Sequence, residues 1–213
     1  MKSKIILFDL DGTLIDSTEA ILESFGVAFE TFGSVVPNAE AIKAQIGHPL
    51  DVMFATLGVD SKEVWDYVDA YKRHYREISC QKTVLLPEAR EAVALAKESA
   101  ILGVVTTKTA KYSIELLEYM GLMDAFDVLI GREDVTYPKP NPEPIEKALE
   151  KLPRVTGTIS MVGDTCMDME AAKAANIAGV GVCCGYGTQE SLTKCASKVC
   201  KNALEAVQYI AKQ

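Results

Sequence analysis

From Pro87 onward the chain repeats one alternation: short apolar, β-branched runs are each followed by a segment with helical periodicity. No other feature restricts the fold as much. The runs at 101–105, 126–130, 158–162 and 179–183 read as strands, with helices expected near 88–98, 112–120, 142–152 and 167–176. Continuous apolar runs are the mark of strands buried on both faces, and parallel neighbours need a crossover between them. The order therefore predicts an α/β fold with a Rossmann-like, doubly wound parallel sheet. Lys4-Ile5-Ile6-Leu7-Phe8 adds a further buried strand that stops at Asp9-Leu10-Asp11-Gly12.

The stretch from about 16 to 84 lacks convincing strands. Ile21, Phe25, Ala28, Phe29 and Phe32 share one helical face, with Asp16 and Glu19 as a capping pair and Gly33 near the end. A second helix is expected after Ser61, through Val64, Trp65, Val68, Tyr71 and Tyr75. The expected division is thus an α/β domain from 1–15 and 85–213, and a small helical domain inserted at 16–84. A length of 213 residues suits one domain with a modest insert.

Charge and composition narrow the partners. With 22 Lys and Arg against 30 Asp and Glu, the net charge of −8 argues against nucleic acid, which is bound through clustered cations. No apolar stretch approaches the roughly 18 residues of a membrane span, and the N-terminus lacks the apolar core of a signal peptide, so a cytoplasmic protein is expected. Six cysteines form no C-x-x-C pair, and reduced thiols are the default expectation. With only His48 and His74, a histidine-rich metal site is poorly supplied.

In doubly wound sheets, ligands sit at the carboxyl ends of the strands. The polar residues expected there are Asp9 and Asp11, then Thr106-Thr107-Lys108, then Arg132-Glu133-Asp134, and Asp164. Four ionised aspartates, Asp9, Asp11, Asp164 and Asp168, cannot share a cleft without a cation, because burial and mutual repulsion penalise each charge. Hard carboxylate donors with room for water and phosphate suit Mg²⁺.

Asp9-Leu10-Asp11-Gly12-Thr13, Thr106, Lys139-Pro140-Asn141-Pro142 and Gly163-Asp164-Thr165-Cys166-Met167-Asp168 resemble, in order and at strand ends, the four motifs of the haloacid dehalogenase superfamily. The resemblance runs from residue 5 to about 185. It implies a Mg²⁺-dependent phosphatase acting on a small phosphorylated metabolite, as a monomer or weak homodimer. Asp9 is then the nucleophile that forms an aspartyl-phosphate, and Asp11 the acid and base for the leaving alcohol and the attacking water. Thr106 hydrogen-bonds a phosphoryl oxygen, and Lys139 neutralises charge on the phosphoryl group and Asp9. The expected metal residues are Asp9, Asp11 through its carbonyl, Asp164, and Asp168, which either ligates or holds a metal-bound water. Leu10, Gly12, Thr13, Thr107 and Lys108 are expected along the substrate.

Asp11 favours phosphoester chemistry over cleavage of carbon–halogen or carbon–phosphorus bonds, which have no alcohol leaving group to protonate. Ile46-Gly47-His48-Pro49-Leu50 resembles a loop in the helical caps of phosphoglycolate-phosphatase-like members, and places His48 among the substrate-binding candidates. A pyrophosphatase and a sugar phosphomutase are the alternatives, and a third is a non-catalytic binding protein, against which Asp9, Asp11, Lys139 and Asp164 argue. Ile21 stands where β-phosphoglucomutase-type enzymes carry a histidine, which weighs against the mutase. The chain also has Pro87-Glu88 where relatives usually have Pro-Gly, and Thr107 where they often have asparagine.

Overall fold

The computed structural model describes residues 2–213. Along the chain lie β1 (Lys4–Phe8) and β2 (Ile15–Asp16), followed by α1 (Thr18–Thr31), α2 (Ala39–Lys43), α3 (Leu50–Thr56) and α4 (Val64–Lys82). Next come β3 (Val84–Leu85), α5 (Ala89–Ser99), β4 (Ala100–Val105), α6 (Ala110–Tyr119), β5 (Val128–Ile130) and α7 (Glu143–Lys151). The C-terminal part holds β6 (Ile159–Gly163), α8 (Cys166–Ala174), β7 (Ala178–Val182), α9 (Gln189–Cys195), β8 (Lys198–Cys200) and α10 (Ala203–Ala211). Two compact units emerge: one runs up to Asp16 and resumes at Leu85–Gln213, and the other is Ser17–Val84.

The first unit is built on a six-stranded sheet in the order β5-β4-β1-β6-β7-β8, with its paired strands parallel. This is the doubly wound α/β sheet that the alternation predicts. β1 sits in the interior because Ile5, Ile6, Leu7 and Phe8 are all buried, and each face must be covered. On one face Ile5, Leu7, Val105, Ile130 and Met161 form a core with Ile145 and Ala148 of α7 and Ala171 and Ala172 of α8. The chain proceeds from β1 to β4 and β5 on one side, then returns to β6, β7 and β8 on the other. That reversal places a topological switch beside β1, where a ligand crevice forms at the carboxyl ends of the strands.

The second unit is helical, with an aromatic core. Phe25 lies 4.5 Å from Phe54 and 5.1 Å from Tyr71 by ring centroids, and Phe29 lies 5.2 Å from Tyr67. Such pairs contribute about 0.5–1.5 kcal/mol each beyond the area they bury. α1 starts one residue later than the capping expectation placed it, after Ser17, whose side chain makes no cap bond. Trp65 is 60% exposed and lies off the buried face of α4, which is carried by Val64, Tyr67, Val68, Tyr71 and Tyr75.

Glu88, at the position where relatives usually have glycine, adopts φ +62°, in the left-handed region that costs an L-residue roughly 1–2 kcal/mol. Its carboxylate accepts a hydrogen bond from the Asn202 side chain, whose own oxygen caps α10 by accepting from Glu205 N–H at 3.0 Å. That contact ties the start of α5 to the start of α10. The expectation of six reduced thiols is also corrected. Cys166 and Cys195 form a disulfide with Cα atoms 5.8 Å apart, because α8, β7 and α9 fold residues 29 apart in sequence onto each other. Cys80, Cys183, Cys184 and Cys200 are free thiols.

Candidate active site

Each strand beside the switch delivers one group. Asp9 follows β1 and is fixed by its own N–H, which donates to Val162 C=O at 2.8 Å. Thr106 follows β4, with its N–H donating to Ile130 C=O at 3.0 Å. Asp164 follows β6, and Asp168 lies in the first turn of α8. Oxygen atoms of Asp9, Asp164 and Asp168 all lie within 4.8 Å of one another, and all three residues are buried.

Lys139 joins this group from the loop before α7. Its ammonium donates to Asp9 Oδ1 at 2.7 Å, to Asp168 Oδ1 at 2.5 Å and to the Val105 carbonyl at 2.9 Å. The other Asp168 oxygen accepts from the Thr165 hydroxyl at 2.7 Å and the Thr165 N–H at 3.1 Å. Both Asp168 oxygens are thereby engaged by the protein. The Lys139 loop is itself held by Glu143, whose carboxylate accepts from the N–H groups of Thr136 at 3.0 Å and Tyr137 at 2.7 Å. The Lys147 ammonium and these two amides pull the Glu143 carboxyl down to about 2.

The electrostatics show a site short of positive charge. Burial pushes Asp9 up to about 7 despite Lys139, with Asp168 and Asp11 adding repulsion. Asp164 is also raised well above the usual carboxylate range by burial, then by Asp9 and Asp168. Burial opposes the Lys139 charge, yet the Asp168 and Asp9 carboxylates outweigh it and raise that amine. Lys108 supplies the second cation, with Nζ 3.0 Å from Asp11 Oδ2. Four carboxylates against two ammonium groups leave two negative charges, which one divalent cation balances. The donor set fits such an ion: hard, clustered, buried oxygens.

The Haloacid dehalogenase-like hydrolase family model matches residues 6–182. The chain belongs to the haloacid dehalogenase-like hydrolase family. It is 35% identical over 179 residues to a protein of Halalkalibacterium halodurans named pyrophosphatase PpaX, covering 83% of this chain and 82% of that one. It is 31% identical over 198 residues to a phosphoglycolate phosphatase of Neisseria meningitidis, covering 89% and 84%. Among solved structures, a haloacid dehalogenase-like family hydrolase of Streptococcus pneumoniae superposes with a TM-score of 0.87 at 27% identity, over 98% of this chain and 99% of that one.

In this hydrolase, Asp9, Asp11, Thr13, Thr106, Lys108, Lys139, Asp164 and Asp168 lie in one unit, linked by the contacts above and by Thr13 Oγ1 donating to Asp164 Oδ1 at 3.4 Å. Thr106 Oγ1 accepts from Lys108 N–H at 3.2 Å, and Thr107 between them is half-buried. The Leu10 side chain is wholly buried, so only its backbone is available to a ligand. His48 belongs to the helical unit. Gly12 has φ +83°, and a Cβ there would lie 2.4 Å from Asp164 Oδ2.

Sequence reasoning missed one element of the site. Tyr186 N–H donates to Asp164 Oδ2 at 2.7 Å, from the loop after β7. The only sequence signal is the pair of glycines around it, Gly185 and Gly187, which match no phosphate-loop pattern. Cys184, beside them, donates its thiol to the Gly12 carbonyl at 3.5 Å; burial pushes that thiol up to about 11 and keeps it protonated at neutral pH.

Proposed function

We propose that this hydrolase is a Mg²⁺-dependent phosphatase that releases phosphate from a small phosphorylated metabolite through an aspartyl-phosphate on Asp9. The observation that carries the reading is the state of Asp9: a buried carboxylate at a strand end, bonded to a buried lysine and crowded by further aspartates. A nucleophile needs to be fixed and desolvated, and both conditions hold here. Asp9, the Asp11 carbonyl and Asp164 are the proposed metal residues. Asp168 is assigned to holding Lys139 and, through it, Asp9. When bound, Mg²⁺ supplies the positive charge that offsets repulsion between these carboxylates and the phosphoryl oxygens.

An Asp9 oxygen attacks phosphorus while the bond from phosphorus to the leaving oxygen breaks, and Asp11 gives its proton to that oxygen. Water then attacks the aspartyl-phosphate, Asp11 takes the water proton, and inorganic phosphate leaves with Asp9 restored. Lys139 balances charge on Asp9 and the phosphoryl group throughout, and the Thr106 hydroxyl donates to a phosphoryl oxygen. Lys108 sets the Asp11 carboxyl in place. The turn around His48 resembles a loop of phosphoglycolate-phosphatase-like members. Phosphoglycolate is the proposed substrate type. Pyrophosphate is the second reading, supported by the 35% identity to the H. halodurans pyrophosphatase.

The test is phosphate release from phosphoglycolate, pyrophosphate, sugar phosphates and an aryl phosphate, with Mg²⁺ and with EDTA. Turnover abolished by EDTA and by Asp9→Asn is expected, and the ranking of kcat/KM selects the substrate. Turnover that survives Asp9→Asn would reject the aspartyl-phosphate.

A further inference from the structure

Three glycines pack against Asp164, two of them against its side chain and one against its backbone carbonyl, and none leaves room for a methyl group. A Cβ on Gly185 would lie 2.2 Å from Asp164 Oδ2 and 2.3 Å from the Gly12 carbonyl oxygen. One on Gly187 would lie 1.9 Å from the Asp164 carbonyl oxygen, and one on Gly12 would lie 2.4 Å from Oδ2. Gly12 also needs glycine for its positive φ, but Gly185 and Gly187 do not have positive φ. Their small size, rather than their flexibility, brings the loop onto Asp164.

What the close approach delivers is the Tyr186 N–H. It donates to Oδ2 at 2.7 Å, while the Thr13 hydroxyl donates to Oδ1 at 3.4 Å, so each oxygen of this fully buried carboxylate has a donor. Two donors on opposite oxygens fix the plane of the group. A peptide N–H does this without bringing a cation to compete with a metal and without side-chain entropy to lose. The Cys184 thiol, bonded to the Gly12 carbonyl, fastens the same loop to the segment after Asp11. We propose that the Gly185-Tyr186-Gly187 loop is a positioning element for divalent-cation binding, with the Tyr186 peptide N–H orienting Asp164 toward the ion. The proposal rests on Asp164 being a metal ligand, as assigned above.

Partners that orient metal ligands typically govern affinity by 10–100-fold. The experiment titrates metal-free protein with Mn²⁺, reading free ion by electron paramagnetic resonance, with Mg²⁺ measured by competition. The variants are Asp164→Asn, Gly185→Ala, and a protein in which an ester oxygen replaces the Tyr186 peptide N–H. About 10–100-fold weaker binding is expected in the last two, with the phosphatase kcat largely recovered at saturating Mg²⁺. A role in folding alone would leave the dissociation constant unchanged in the folded fraction. The ester variant keeps every side chain, so it decides the matter if Gly185→Ala fails to fold. Wild-type affinity in the ester variant, with Asp164→Asn binding lost, would overturn the positioning role alone. Unchanged binding in Asp164→Asn would overturn the metal assignment and the proposal with it.

Discussion

Lys139 and Asp168 form an ion pair 2.5 Å apart with side chains only 3% and 1% exposed. Such a pair bears a desolvation cost that Coulomb attraction alone rarely offsets. Here the lysine also donates to Asp9 and the Val105 carbonyl, and the aspartate also accepts from Thr165. All three protons of the ammonium are used and both oxygens of the carboxylate are engaged, so the pair's position is set from both the Lys139 loop and α8. The arrangement places one ammonium beside Asp9, where the proposed mechanism needs positive charge.

Removing that ammonium leaves two buried carboxylates uncompensated. Lys139→Met is expected to cost about 3–5 kcal/mol in metal-free protein and to abolish turnover. Urea unfolding in EDTA measures the first and phosphate release the second. Added Mg²⁺ is expected to recover part of the stability but not the activity. A stability loss below about 1 kcal/mol would mean that the network contributes no more than an exposed ion pair.

The raised Asp9 gives the metal-free protein a distinct pH dependence. Burial, the largest cause, lifts the carboxyl from 3.8 to about 7, so between those values the native protein holds a proton that the unfolded chain has released. Stability from this group is full below pH 4 and is lost as pH rises toward 7. Asp164 shifts in the same direction and adds to the fall. Urea midpoints in EDTA are expected to decline from pH 4 to 7, with a shallower decline in Asp9→Asn. Mg²⁺ is expected to raise the midpoint most at the upper end, where the carboxylates are ionised. A midpoint that rises steadily with pH in EDTA would contradict the sign.

These groups were legible in the sequence to different degrees, for physical reasons. β1, β4 and β6 are interior strands buried on both faces, so each appears as an apolar run, interrupted only by the buried Ser160 of β6, and points directly to the polar residue at its end. β8, only three residues long with Lys198 exposed, gives no such run, and α9 is too short for a periodic pattern. α10 does carry one, with Ala203, Ala206, Val207 and Ile210 buried at helical spacing. Asp168 stands three residues after Thr165, the spacing of a capping pair, so its bonds to Thr165 could have been read locally; its bond to Lys139 could not. The Tyr186 amide and the Cys166–Cys195 bond arise only when β7 brings distant segments together.

That disulfide makes its own prediction. It closes a loop of 29 residues that contains β7 and the Gly185-Tyr186-Gly187 segment. Chain-entropy arguments give a cross-link of this span about 3–4 kcal/mol of stability. Dithiothreitol and Cys195→Ser are each expected to lower the thermal midpoint, and the reductant should have no further effect on the variant. A wild-type midpoint indifferent to reductant would show that the cross-link contributes no stability.

The last prediction concerns Asp11, whose carboxylate meets Lys108 at 3.0 Å. Protonation of the leaving oxygen matters most when that oxygen is strongly basic, as in an alkyl phosphate, and least for an aryl phosphate whose phenolate departs unaided. Asp11→Asn is therefore expected to lower kcat/KM by about 10²–10⁴-fold for the metabolite ester and by much less for the aryl ester. Equal losses on both esters would remove Asp11 from the acid step. Lys108→Met serves as the companion, since it takes away the ammonium that sets Asp11 in place while keeping the acid itself. It should lower turnover on the alkyl ester less than Asp11→Asn does.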